Sequence, residues 1–270
     1  MDYFQTFFIE NQSELRLSSF IILILVFASL ELIWPRKLAD KYSKYRRLNN
    51  ISLLLVNFVA ARFLVPLATV EVALLASEQQ FGLFNLISFP VILNIVLTVI
   101  LFDLLIYLQH VIFHKFDFLW HVHRVHHSDI EFDVTTGIRF HPIEIVLSMF
   151  YKILAVYLIG PMAVSIVIYE ILLNAAALFG HSNIKLKTRL DTFLRKVFVT
   201  PDMHRIHHSV LRKETDSNYG NIFSFWDKVF KTYRPLPEAG YDDMTIGLDK
   251  FREPSSGQVL QLLLNPFNKR

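Results

Sequence analysis

Apolar residues occur in this chain as blocks too long for the core of a soluble domain. Leu17 to Trp34 is interrupted only by serines and by Glu31 near its end, and it stops at Pro35, which reads as a membrane span. Ile51 to Ala76 reads as a second span, weakened by Arg62, Pro66 and Glu71. Val91 to about Phe113 is a third. Ile143 to Phe179 is broken by Gly160-Pro161, which suits a tight turn between two helices, each near the minimum spanning length. From Lys185 onward, Leu190, Phe193, Leu194, Val197 and Phe198 recur at helical spacing among Lys187, Arg189, Arg195 and Lys196. That pattern predicts an amphipathic helix lying at the membrane interface or on the protein's own polar module. The pattern as a whole predicts an all-α integral membrane bundle of about three spans plus a helical hairpin, with a polar, histidine-rich helical cap.

Charge gives the bundle a sidedness. The loop after the first span carries Arg36, Lys37, Lys41, Lys44, Arg46 and Arg47 against Asp40, whereas Ser77 to Pro90 has no Lys or Arg. By the positive-inside rule the first loop is cytoplasmic and the N-terminus faces outward, so every histidine cluster falls on the cytoplasmic side; a bacterial inner membrane is expected ahead of the endoplasmic reticulum. Met1 to Arg16 lacks a basic leader and no small-residue cleavage site follows, so the first span is expected to stay as an anchor. A net charge of +3 is too small to argue for nucleic acid, and the basic residues beside apolar segments point to anionic lipid headgroups. Cys is absent, which excludes disulfides and thiolate ligands and leaves nitrogen and oxygen for any metal.

The candidate chemistry lies in two nearly identical triplets, His123-x2-His126-His127 and His204-x2-His207-His208, with His110-x3-His114 at the inner end of the third span. Residues three and four apart share a helix face, so each triplet is expected to aim several imidazoles at one point. Asp103, Tyr107, His110 and His114 form one helical stripe, on which Asp103 or Tyr107 could orient an imidazole through its second nitrogen. For Asp103 a purely structural role stands equally open. His181 closes the hairpin beside Ser182 and Asn183, on the side of the other clusters, and counts as a ligand candidate. His141 precedes Pro142 and reads either as a ligand or as a helix-capping or substrate-contact residue; His121 points elsewhere on its helix. Thr200-Pro201 looks like a helix start feeding the second triplet. The candidates outnumber twofold what one closed zinc site needs, and neither H-E-x-x-H nor Glu-x-x-His occurs, which favours a dinuclear, all-histidine iron centre.

In this order the motifs resemble the fatty acid hydroxylase/sterol desaturase superfamily of membrane di-iron oxygenases, most closely its bacterial sterol-desaturase-like branch. The resemblance extends to Arg139-Phe140-His141-Pro142-x-Glu144, His181-Ser182-Asn183, Thr200-Pro201-Asp202-Met203-His204, Asn218-Tyr219-Gly220 and Trp226 to Tyr233, covering about Val91 to Tyr233. It divides the chain into anchor spans (1–90), a catalytic domain (91–235) and a tail (236–270), for whose apolar Val259 to Leu264 only packing is expected. The chain departs from the family pattern at Lys231, where Gly is usual, which puts a local turn in doubt, and at His121, where Arg is frequent. The resemblance implies His110, His114, His123, His126, His127, His181, His204, His207 and His208 as ligands of two irons, with Asp103, Tyr107, His141 and Asn183 behind them or as further ligands. It also implies O2 as co-substrate, a fatty acyl, sterol or related lipid as substrate, and hydroxylation or desaturation as outcome. Electrons would come from a separate NAD(P)H-dependent cytochrome b5-type, ferredoxin or flavin reductase partner, because this chain has no Gly-rich nucleotide turn, haem motif or Cys of its own. The rival readings are a membrane zinc hydrolase of lipid amides or esters and a non-enzymatic metal-binding membrane protein.

Overall fold

In the computed structural model, which describes residues 3–65 and 67–268, the apolar blocks are helices. The first half of the chain forms α1 (Tyr3–Glu10), α2 (Gln12–Ile33), α3 (Ser43–Leu64), α4 (Thr69–Glu78), α5 (Leu83–Leu86), α6 (Val91–Lys115) and α7 (Asp117–His127). A hairpin of α8 (Pro142–Ile159) and α9 (Ala163–Gly180) follows, then the shorter α10 (Thr188–Leu194), α11 (Pro201–His207), α12 (Arg212–Thr215), α13 (Phe225–Val229), α14 (Gly240–Asp243) and α15 (Val259–Leu264). Among the described residues the only β pairings are isolated bridges.

Five helical stretches, Gln12–Ile33, Ser43–Leu86, Val91–Lys115, Pro142–Ile159 and Ala163–Gly180, are long and apolar enough to cross a membrane. Leu25, Leu55, Phe58, Phe63 and Ile92 point outward from three of them, a surface that water would solvate poorly and lipid tails solvate well. The core lies between α4, α6, α8 and α9, around Val70, Phe102, Val156, Ile166 and Tyr169.

The second stretch differs from the single span expected at Ile51 to Ala76. Val65 precedes Pro66, whose ring disfavours helical backbone at the residue before it, and Val65 is extended (φ −120, ψ 98). The helix therefore stops at Leu64 and resumes as α4, which buries Val70, Val72, Ala73 and Ala76 against the hairpin. At the hairpin's own turn Gly160 caps α8 in the left-handed region (φ 66), and a Cβ there would lie 2.6 Å from the Asn85 amide. The amphipathic segment also ends early. α10 stops at Leu194; beyond it Arg195 bonds Asp191, Thr200 and Tyr241, and the chain pairs Val199 N–H with the Ile222 carbonyl (3.0 Å). Leu190, Phe193, Val197 and Phe198 remain exposed. Lys231 occupies the left-handed region (φ 61), so the turn closes although its residue is not glycine.

Buried polar staples attach the cap to the spans. Arg46 on α3 pairs with Asp129 (2.7 Å), Glu131 (3.1 Å) and Asp133, all in the loop after α7, and Arg47 joins Asp133 (2.7 Å). Arg36 meets Asp202 at 3.3 Å. Part of the basic loop is thus committed inside the protein and not offered to headgroups. Glu31 at the end of α2 accepts the N–H groups of Val134 (2.7 Å) and Asn183 (2.6 Å). The tail does pack: Leu262 joins Leu53 and Val125, and Arg124 of α7 donates to Asn265 and Asn268.

Candidate metal centre

Three local signals build the site. Phe116 is extended (φ −100, ψ 119), so it ends α6 just past His114 and starts α7, which folds back onto α6 and brings the first triplet to His110 and His114. His181 caps the C-terminus of α9. Thr200 caps α11 by accepting the Met203 N–H (3.4 Å), with Pro201 as first residue, as the sequence predicts.

All nine candidate ligand histidines come together, but not triplet by triplet. One group holds His110, His114, His123, His127 and His207; the other holds His126, His181, His204 and His208, and within each group the ligand atoms lie within 4.8 Å of one another. The i, i+4 pairs, His123 with His127 and His204 with His208, stay together, while the middle member of each triplet crosses to the other group. The expectation that each triplet serves one point is thereby corrected. On a helix, positions i and i+4 differ by about 40° whereas i+3 falls about 60° to the other side, enough to aim it at a neighbouring point.

The ring orientations suit metal. His110, His207, His126 and His181 donate Nδ1–H to the backbone carbonyls of Tyr219 (2.8 Å), Ser217 (2.7 Å), Arg139 (3.2 Å) and Ala177 (2.7 Å). His123 donates to Glu144 (2.6 Å) and His114 to Asp216 (3.2 Å). A carbonyl can only accept, so these rings carry the proton on Nδ1 and present a bare Nε2, the arrangement typical of metal-bound imidazole. The Nε2 atoms of His110, His114 and His207 are buried without a partner, and His208 has none at either nitrogen. The bare Nε2 atoms of His126 and His181 face each other at 3.0 Å, and those of His123 and His181 face the Nε2 atoms of His127 (3.2 Å) and His204 (3.0 Å). The lone pairs of His126 and His181 repel at this distance unless a cation lies between them, and the other group holds the three orphaned Nε2 atoms of His110, His114 and His207, so the residues fit two metal ions.

Burial, reinforced by neighbouring imidazoles, favours the neutral form of the rings outside the spans. His181 is pushed down to about 4 and His207 to about 3, and His126, His127, His204 and His208 are lowered in the same direction. A base whose pKa falls on folding leaves its stability intact above the unfolded value of about 6.5 and withdraws it as the pH drops below that, by up to about 1.4 kcal/mol per pH unit for each group. Chelator-stripped protein in detergent should therefore lose melting temperature steeply between pH 6.5 and 4. A flat profile over that window in thermal scans would mean that the rings protonate freely in the folded state.

The residues expected behind the ligands are engaged elsewhere. The Asp103 carboxylate accepts from Ile222 N (3.0 Å), Phe223 N (3.1 Å) and Trp226 Nε1 (3.0 Å), and Tyr107 bonds Thr232 (2.8 Å), so neither reaches an imidazole. Asn183 ties Lys37 to Arg205. His141 caps α8, accepting from Ile143 N (3.1 Å) and donating to the Leu263 carbonyl (3.1 Å), which occupies both of its nitrogens. His121 bonds the Asp117 carbonyl (2.5 Å) and lies outside both groups. The carboxylates that do support ligands are Glu144, which the sequence offered only as the end of a motif, and Asp216, for which it gave no signal.

A cavity of about 240 Å3 opens onto both groups through His110, His123, His126, His181 and His204. Its walls include Ile106, Phe113, Phe140, Ile145 and Leu173. A larger cavity of about 390 Å3, beside Lys37, Arg47 and Arg205, touches none of the nine histidines.

A family model described as fatty acid hydroxylase matches residues 95–232. The chain is 29% identical over 161 residues to ornithine lipid hydroxylase of Rhizobium tropici, covering 59% of this chain and 47% of that protein. It is 29% identical over 133 residues to alkylglycerol monooxygenase of Caenorhabditis elegans (48% of this chain, 25% of that protein). The human alkylglycerol monooxygenase is 26% identical over 162 residues (58% and 34%). Each alignment thus spans less than half of the relative's length. No solved structure matches the chain.

Proposed function

The chain belongs to the fatty acid hydroxylase family, and on that premise we propose that it is a membrane di-iron oxygenase that hydroxylates or desaturates an aliphatic lipid, using O2 and electrons from a separate NAD(P)H-dependent donor. The observation that carries this reading is the pair of buried imidazole groups sharing one apolar cavity. His110, His114, His123, His127 and His207 would hold one iron, and His126, His181, His204 and His208 the other. Bound iron would supply dioxygen activation, the chemistry that an unactivated C–H bond requires and that a metal-bound water does not provide.

The chain's own contribution is positional. Glu144 and the carbonyls of Tyr219, Ser217 and Arg139 hold the ring protons on Nδ1 and fix the direction of each Nε2. Phe113, Phe140, Ile145 and Leu173 bind an alkyl chain and exclude water from the reacting carbon. Phe140 also stacks on His126 (centroids 4.5 Å apart, planes 10° apart), which ties the chain-binding wall to a ligand. With a reductase system and labelled dioxygen, iron-loaded protein should place the label in a hydroxylated lipid, or form a double bond without it. Turnover of a lipid ester or amide by zinc-loaded protein, without oxygen or reductant, would replace this reading with the hydrolase.

The same reading puts the histidine cap in the cytoplasm of a bacterial inner membrane, as the basic loop after α2 supports. Leu38 is exposed in that loop. A cysteine there, in a chain with no other, should react with an impermeant thiol reagent only after the cells are opened; labelling of intact cells would invert the topology.

A further inference from the structure

The hairpin helices α8 and α9 carry three charged residues, Glu144, Lys152 and Glu170. Two are spoken for. Glu144 accepts from His123 (2.6 Å), and Glu170 pairs with Arg16 (2.5 Å) and accepts from Thr69 (2.7 Å). Lys152 has no hydrogen bond or ion pair among the described residues, and it lines the cavity that opens onto the histidines. A cation within an apolar span that faces a cavity and lacks a protein partner is a site for something else.

Its position is regular. Glu144, Ser148 and Lys152 stand four residues apart on one face of α8, and all three line the cavity. At 1.5 Å per residue Lys152 sits about 12 Å along the helix from the carboxylate that supports His123. Other polar groups line the way between them. Ser148 receives the Gln109 amide N–H (2.6 Å), which leaves its own O–H to donate, and Asn174 of α9 lines the same space.

We propose that Lys152 anchors an anionic group of the lipid substrate, a carboxylate or a phosphate, with Ser148 and Asn174 donating beside it, so that the alkyl chain runs down the cavity to the histidine centre. This inference rests on the oxygenase reading for its meaning but not for its test. The anchor makes Lys152 a specificity-determining residue: the carbon that is oxidised is the one that reaches the centre when the anion is held at Lys152, about two helical turns from Glu144.

The test is equilibrium binding to iron-loaded protein in neutral detergent, with palmitate, hexadecyl phosphate and hexadecanol as probes of equal chain length. The native protein should bind at least one of the anions about tenfold or more tighter than the alcohol. Lys152→Met should erase that preference with metal content unchanged, and Lys152→Arg should keep it. Preference for palmitate alone identifies a carboxylate, and preference for hexadecyl phosphate alone a phosphate. Equal binding of all three by the native protein, or an intact preference in Lys152→Met, overturns the proposal. Binding requires neither oxygen nor reductant, so an anion preference without oxygen-dependent product would overturn the oxygenase reading and leave the anchor standing. Oxygen-dependent product without anion preference would do the reverse.

Discussion

His207→Ala and His126→Ala should each reduce lipid oxidation to background and lower bound iron by at least half, because each removes one of the nitrogens that converge in its group. His207 belongs to the group of five and His126 to the group of four. Loss of a partner behind a ligand usually costs about 10–100-fold in metal affinity or activity. Glu144→Gln, which weakens only the support of His123 (2.6 Å), should fall in that range, with the two alanine variants below it. His121→Ala should be close to native, since that ring bonds the carbonyl of Asp117 and touches neither group. The measurements are iron per chain by elemental analysis and product by lipid mass spectrometry. Full iron in His207→Ala would remove that residue from the ligand set.

Arg46→Ala should be the most damaging substitution outside the histidine groups. It leaves Asp129 and Asp133, both buried, and Glu131 facing one another around the space of the lost guanidinium. Burial alone would raise the Asp133 carboxyl, yet Arg46 and Arg47 hold it below the usual carboxylate range. Removing one partner from such a buried cluster costs about 3–5 kcal/mol, a large share of a protein's stability. Arg46→Lys keeps the charge but cannot bond three carboxylates with one planar fork, so it should fall between the two. Thermal unfolding in detergent reads the order. If Arg46→Ala melts with the native protein, the network contributes nothing net.

The bundle was legible because membrane spans announce themselves by length, and the helix caps because Thr200, Pro142 and Gly160 act on their immediate neighbours. The nine histidines were legible as a set for the same reason: spacing within a helix is local. What the spacing could not tell was which rings fall in one group. That depends on how α7 and α11 cross, and His126 and His207 each leave their own triplet for the other group. Asp103 shows the same limit. It lies on the stripe that leads to His110, yet its carboxylate is taken by Ile222, Phe223 and Trp226, about 120 residues later in the chain. Asp216 illustrates the converse, an unremarked residue in a polar loop that becomes the partner of His114. The basic loop misled in one respect, because Arg46 and Arg36 count toward sidedness but are consumed by internal carboxylates.

The exchange of middle histidines between the triplets makes the distance between the two histidine groups a property of helix geometry. Each triplet reaches both groups from a single stretch of backbone, α7 or α11 with its C-cap His208, so the interval is written twice in the pitch of an α-helix. Loops around the cap can then change in length without altering that interval. A single residue inserted between His123 and His126, or between His204 and His207, would rotate the two later imidazoles by about 100° and disturb both groups together.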